Sequence, residues 1–222
     1  KLGPELDALA LLYTGAALPT LLALSRGPSL ALARLLAAIA EQLPANLYAH
    51  LGPELLPALG DRWHAEAHGR HLKMVLREPT RLEDVDISEV EVLGPTNLDE
   101  LLALYAASYP GNWFDARMLD TEQYVGIRRE GELVCVAGVH VYSPRYGVAA
   151  LGNVTTARSW RGRGLARRAV AGLCRRLRSR VETIGLNVHA DNAAAIACYR
   201  RLGMVEIGDY DEYMLTSKDD PG

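Results

Sequence analysis

Cysteine is scarce in this chain of 222 residues: Cys135, Cys174 and Cys198 lie far apart, with no Cys-x-x-Cys pair and no Cys/His cluster. That excludes a disulfide scaffold and a zinc module, and it points to reduced thiols in a cytoplasm. Phenylalanine is nearly missing, one against ten Tyr and three Trp, so the core has to be Leu, Val, Ile and Ala. Long hydrophobic runs are also lacking. The longest uncharged stretch, residues 8–25, is about the minimum for a membrane span. It follows Glu5 and Asp7 rather than a basic segment, and Gly15 and Pro19 interrupt it. It therefore reads as two short buried helices broken near residues 15–19, neither an anchor nor a signal peptide.

What is present suffices for one large or two small globular domains: 49% apolar and 23% charged residues. The charge is unevenly placed. Nine of the 24 basic residues are arginines within 158–180, a stretch without an acid, so the rest of the chain sets 15 basic residues against 27 acidic ones. Such a run is either a solvated helix face or an anion site.

The N-terminal third reads as helical with some α+β character. Leu32, Leu35, Leu36, Ile39 and Leu43 form one helical stripe, opened by Pro28 and Ser29 and closed by Pro44. Residues 45–50 read as a short strand, 53–59 as a turn or two of helix, and 63–68 with 70–76 as a hairpin about Gly69. Residues 78–88 are acidic and aperiodic, and they divide the chain into an N-terminal domain, 1–86, and a second domain, 87–222. Beyond the boundary, strands and helices alternate. A strand at 89–93 precedes a helix at 98–107 with an N-cap signature from Asn97 and Glu100. A hairpin follows, 124–129 with 133–143, turning at Glu130 and Gly131. A strand at 147–155, a helix at 164–178, a strand at 183–188 and a helix at 192–202 come next, and strands at 204–207 and 210–215 complete the domain. The class is α/β: a mixed, mostly antiparallel sheet flanked by helices.

One junction carries chemistry. The strand ending in Val154, Thr155 and Thr156 runs into Arg161-Gly162-Arg163-Gly164-Leu165-Ala166, and an amphipathic helix starts at once. Glycines let a backbone approach an anion, and the first helical N–H groups lack intrahelical acceptors while the helix dipole adds positive potential there. Such a turn suits phosphate. It is not a Walker loop, since no Gly-Lys-Ser/Thr follows, and it lacks the third glycine of the dinucleotide fingerprint.

Arg161-x-x-Gly164-x-Ala166 after a strand resembles the pyrophosphate motif of the Gcn5-related N-acetyltransferases. Residues 186–204 resemble that family's second motif through Asn187, Asn192, Ala195, Tyr199 and Gly203. The resemblance spans roughly residues 89–215. It implies the acyl-CoA N-acyltransferase fold, acetyl-CoA as cosubstrate, and direct transfer without a metal. Gly152-Asn153-Val154-Thr155-Thr156 is also similar to the glycine N-acyltransferase-like branch. That likeness implies an extra N-terminal domain, here a degenerate half-copy of the fold.

The same resemblance implies roles. The backbone of Val154, Thr155 and Thr156, beside a splayed pair of strands, would hydrogen-bond pantetheine. The amides of Arg161, Gly162, Arg163, Gly164, Leu165, Ala166 and Arg167 would hold the pyrophosphate, with arginines 161, 163, 167 and 168 adding charge. Asn192 reads as an N-cap whose side chain also reaches the cofactor, and Tyr199 as the general acid for the departing thiolate. His140, on a strand two residues before Tyr142, is the candidate base, against the plainer reading of a half-exposed strand histidine. Asn153 reads equally as a substrate-orienting residue or a turn and packing residue. Two departures stand out: Arg158 occupies a position where many members have Pro, and the strand 147–155 carries no carboxylate. His50, His64, His68 and His71 do not space as a metal site.

The acceptor expected is a primary amine, either a small molecule or a peptide N-terminus or lysine. No nucleic-acid or membrane partner is expected, the enzyme is placed in the cytoplasm, and a homodimer is left open. A non-catalytic acyl-CoA-binding regulatory module is the alternative. Nucleic-acid binding through the arginine run is a weaker rival, because the surrounding chain is acidic.

Overall fold

The computed structural model describes residues 6–15 and 17–219. In chain order the elements are β1 (Leu11–Tyr13), β2 (Thr20–Ala23), α1 (Leu30–Ile39), β3 (Asn46–Leu51) and β4 (Trp63–Leu76). They continue with β5 (Glu91–Leu93), α2 (Leu98–Ser108), β6 (Tyr124–Arg129), β7 (Glu132–Ser143) and β8 (Val148–Thr156). The last are α3 (Leu165–Arg178), β9 (Thr183–His189), α4 (Ala193–Arg201) and β10 (Met204–Ser217). They form two compact units, one of Lys1–Lys73, His189–Asp191 and Ile207–Gly222, the other of Met74–Val188 and Asn192–Glu206. The units cut across the chain segments 1–86 and 87–222, because β4 and β10 each run from one unit into the other.

In the first unit the strand order is β1-β2-β3-β10-β4. β1 and β10 pair antiparallel with their neighbours β2 and β3, while β2 and β3 are parallel. Alternation sets the faces. Leu47, Ala49 and Leu51 of β3 turn inward with Leu21, Leu32, Leu36, Trp63 and Leu215. Each leucine fully buried in this way contributes about 1.5–3 kcal/mol. The helical stripe expected from Leu32 onward is α1, and its Ser29 cap accepts from the Leu32 amide at 3.2 Å.

Three expectations for this part of the chain are corrected. Residues 8–25 hold the strands β1 and β2 rather than two buried helices (Ala16 lies outside the described residues). A short apolar run fits either state, and lateral pairing with β3 decides it. The expected hairpin about Gly69 is the single strand β4. Gly69 has φ 92, and a Cβ there would collide with the His189 ring, so this glycine marks a close approach and not a turn. The two strands expected at 204–207 and 210–215 are one strand, β10.

In the second unit the order β9-β8-β7-β6-β5 is antiparallel except for the parallel pair β8 and β9. The β6–β7 hairpin turns at Glu130 and Gly131, with φ 53 and 86, as the strand twist favours. α2 packs on β7 and β8, and α3 packs on β6, β7 and β8. The apolar stripe of α3, from Leu165 through Ala169, Val170, Leu173 and Cys174 to Leu177, is buried throughout. The mixed sheet flanked by helices is the architecture expected. Asn97 stands at the N-cap position of α2 as expected, but its side chain makes no capping bond to the helix: its Oδ1 accepts from the Gly94 amide at 3.0 Å around a 3-10 turn. Among the described residues no helix is long and apolar enough to cross a membrane.

Candidate active site

The register of β8 creates an opening. Its parallel pairing with β9 runs from Val148 opposite Thr183 to Leu151 opposite Leu186 and stops there, although both strands continue. On the other side, Val136 of β7 faces Thr155 while Gly138 faces Gly152, so Asn153 and Val154 together oppose the single residue Ala137. This is a β-bulge, and Asn153 takes φ 54 within it. A bulge bends its strand, and the two strands part where this one begins. Val154, Thr155 and Thr156 therefore have β7 on one flank and no paired strand on the other among the described residues. The Thr156 carbonyl accepts from Arg161 Nε at 3.2 Å, and its hydroxyl lies 3.3 Å from Cys135 Sγ.

The chain then makes a 3-10 turn at Arg158–Trp160 and reaches the glycines. Gly162 and Gly164 have φ 75 and 77, a region L side chains avoid, and nothing lies within 4 Å of where a Cβ would stand. The Arg161 amide is engaged by the Arg158 carbonyl at 3.4 Å, and the first bond of α3 runs from the Arg168 amide to the Gly164 carbonyl. Among the described residues no backbone acceptor meets the amides of Gly162, Arg163, Gly164, Leu165, Ala166 and Arg167. Six consecutive donors thus lack a backbone acceptor at the positive end of a 14-residue helix.

The arginine run divides in two. Arg168 pairs with Glu89 at 2.5 Å, Arg178 with Glu83 at 3.2 Å, and Arg175 donates to the carbonyls of Leu82 and Val85. Arg176 donates to the Glu122 carbonyl at 3.1 Å. This half is a paired helix face. Nearer the turn, Arg161 ties the Thr156 carbonyl to that of Ser108, and Arg163 lies 4.4 Å over the Trp160 ring. Arg167 buries its Nε without a hydrogen-bond partner.

Asn192 is an N-cap, its Oδ1 accepting from the Ala195 amide at 3.1 Å. Two turns on, Tyr199 is 8% exposed. Burial, together with nearby Cys198 and Tyr109, raises its phenol well above the ordinary tyrosine range. Its hydroxyl makes no hydrogen bond among the described residues, so it is a protonated donor without an acceptor. His140 sits at a second register shift, between Val139 and Val141. It is exposed at its edge, its ring lies where a Gly152 Cβ would go, and Trp113 meets it edge-on at 5.5 Å. The protein packed around it lowers its proton affinity, with a contact to Asn153 pulling the other way. Gly203 closes α4 with φ 87, and a Cβ there would overlap the Glu78 carbonyl.

Sequence reasoning missed the partners gathered around Asn153: Tyr105, Asn112, Trp113 and Tyr124. An asparagine inside the apolar strand 148–156 was the available signal. It also missed a second polar cluster, in the first unit. There Glu212 accepts from Tyr48 at 2.6 Å and Tyr210 at 3.2 Å, and stands 3.6 Å from nitrogens of both His50 and His71. Tyr210 stacks between the two imidazoles at 5.1 and 5.5 Å. The alternating Tyr48/His50 and Tyr210/Glu212 pairs were its trace in the sequence. Among the described residues no three His, Cys, Asp or Glu side chains are grouped to hold a metal ion.

Solved structures resemble most of the chain, and a family model matches part of the second unit. A structure assigned to the GNAT family from Novosphingobium aromaticivorans is 25% identical, covers 82% of this chain and 80% of its own, and superposes with a TM-score of 0.64. A GCN5-related N-acetyltransferase from Kribbella flavida (21% identical, 96% and 86% covered, TM-score 0.60) shares the fold. So does a Drosophila protein (16%, 93% and 73%, TM-score 0.71). No curated protein matches the sequence. Residues 96–204, which hold the bulged strand, the glycine turn, Asn192 and Tyr199, match the model of the acetyltransferase (GNAT) family; the chain has the acyl-CoA N-acyltransferase fold and is an acyltransferase.

Proposed function

We propose that the protein transfers an acetyl group from acetyl-CoA to a primary amine by direct attack, with Tyr199 as general acid. The observation that carries this reading is the row of six unpaired amides at Gly162 to Arg167, next to the strand that leaves its neighbour after Leu151. The amides suit a pyrophosphate, the half-buried Arg167 with its unpaired Nε would support the same charge, and the free flank of Val154, Thr155 and Thr156 suits the amide-rich pantetheine arm. Asn192 orients the start of α4 and with it Tyr199. In the reaction the amine nitrogen bonds to the thioester carbon while the carbonyl oxygen takes up negative charge. A main-chain N–H at the opening would face that oxygen, and losing such a donor typically costs ~2.7–4 kcal/mol. The carbon–sulfur bond then breaks, Tyr199 gives its proton to the departing sulfur, and the amine's surplus proton passes to neutral His140 or to water.

The acidic remainder of the chain favours a cationic, amine-bearing acceptor, whether small molecule or peptide. The three free thiols suit a reducing, cytoplasmic setting. Isothermal calorimetry with coenzyme A and acetyl-CoA, followed by thiol-release assays over amines, amino acids and peptides, tests the reading. Binding with turnover on at least one amine is expected. No binding of either thioester or thiol would overturn it. Binding without turnover on any amine would favour the acyl-CoA-binding module instead.

A further inference from the structure

We infer that Asn153 is a positioning residue for the cosubstrate opening, the side chain that holds β8 in its bulged path. Asn153 is 4% exposed in a strand that is otherwise regular, and its φ of 54 is one an L residue rarely adopts inside a sheet. Hydrogen bonds from several segments hold it there. Its Nδ2 donates to the Trp113 carbonyl at 3.0 Å and to the Tyr124 hydroxyl oxygen at 3.1 Å. Its Oδ1 accepts from Asn112 Nδ2 at 3.4 Å, and its main-chain carbonyl accepts from the Tyr105 hydroxyl at 3.1 Å.

The neighbours are shaped around this arrangement. A Cβ on Gly138 would collide with the Tyr124 ring, and one on Gly152 with the His140 ring. Both glycines, on adjacent strands, leave room for the rings that contact Asn153. The bulge begins at Asn153, two residues after Leu151, the last residue of β8 paired with β9. Whatever keeps Asn153 in its left-handed conformation therefore also keeps residues 154–156 turned away from β9. An alanine at this position favours the extended backbone of an ordinary strand, which would straighten β8 and narrow the gap. Glycine keeps access to the left-handed conformation but supplies no anchor.

The inference rests on the proposed use of the opening by coenzyme A, and the test separates the two. Calorimetric dissociation constants for coenzyme A are compared among the wild type, Asn153→Ala, Asn153→Gly and Tyr124→Phe, with near-ultraviolet circular dichroism and thermal melts as measures of folding. Affinity is expected to fall by about tenfold or more in Asn153→Ala, less in Asn153→Gly, and about threefold in Tyr124→Phe, as the loss of one or more hydrogen-bonded anchors predicts. A residue that only stabilises the fold would lower melting temperatures and leave the affinity of the folded protein unchanged. Wild-type affinity in folded Asn153→Ala overturns the inference. Should that variant not fold, wild-type affinity in Tyr124→Phe overturns it. If the wild type itself does not bind coenzyme A, the proposed function falls and this inference with it.

Discussion

The two units each gather tyrosine and histidine on β-strands, and the Glu212 cluster of the first treats its polar atoms differently from the glycine turn and Tyr199 of the second. In the first unit, Glu212 collects the hydroxyls of Tyr48 and Tyr210 and lies against His50 and His71, so donors and acceptors converge on one another. Burial and the Glu212 charge push both phenols above their ordinary range, and burial lowers His50. In the second unit, Tyr199 is equally protonated but has no acceptor, six amides have no backbone partner, and Arg167 buries an unpaired nitrogen. Buried polar groups normally find partners within the fold. A cluster that satisfies itself contributes to stability, whereas donors left without partners are free to meet a ligand.

Four measurements would break or sharpen that contrast. Tyr199→Phe should lower kcat by about a hundredfold, the lower range for losing a positioned acid, with coenzyme A affinity nearly unchanged; equal kcat in thiol-release assays would remove Tyr199 from the chemistry. Gly164→Val places a β-branched residue at φ 77, a strain of about 1–3 kcal/mol. About a tenfold or greater loss of calorimetric affinity is expected, and undiminished binding would detach the turn from the cosubstrate. In the first unit, Glu212→Gln should cost about 1–3 kcal/mol, seen in chemical denaturation, because the charge is lost and an NH2 donor replaces one of the two carboxylate oxygens that accept from Tyr48 and Tyr210. Its coenzyme A affinity should stay at the wild-type value, and a loss there would end the division between the units.

The smallest effect concerns pH. His140 is held below the ordinary histidine value, so it is neutral at pH 7 and gains its proton only on acidification. As a base it loses function as pH falls. The acid limb of kcat/KM should therefore have its midpoint below about 6.5, the unperturbed value, and vanish in His140→Gln. No alkaline limb from the thiols is expected near neutrality, since burial pushes Cys135 up to about 11 and Cys174 up to about 12. An unchanged limb in His140→Gln would assign the proton to water.

The second unit was readable along the chain because its elements are set by local rules. The 3.6-residue stripe of α3, the Glu130–Gly131 turn and the asparagine opening α4 each act within a few residues. The first unit was harder. Nothing in residues 8–25 separates a buried helix from short strands, and Gly69 reads as a turn until His189, more than a hundred residues away in sequence, is brought over it. Asn97 offered a cap signature, but the Gly94 amide competes for its side chain. The arginines looked alike in the sequence, yet Glu83 and Glu89 pair with only some of them.

The amino-acid order alone therefore determined the glycine turn, the helix behind it and the residue types that suit an acyl-CoA, since backbone conformation and unpaired helix-end amides depend on near neighbours. Only the tertiary structure decided which strands pair, where β8 leaves β9 and which polar groups are already satisfied. Those outcomes depend on contacts between distant segments, and a one-residue change of register redistributes every one of them.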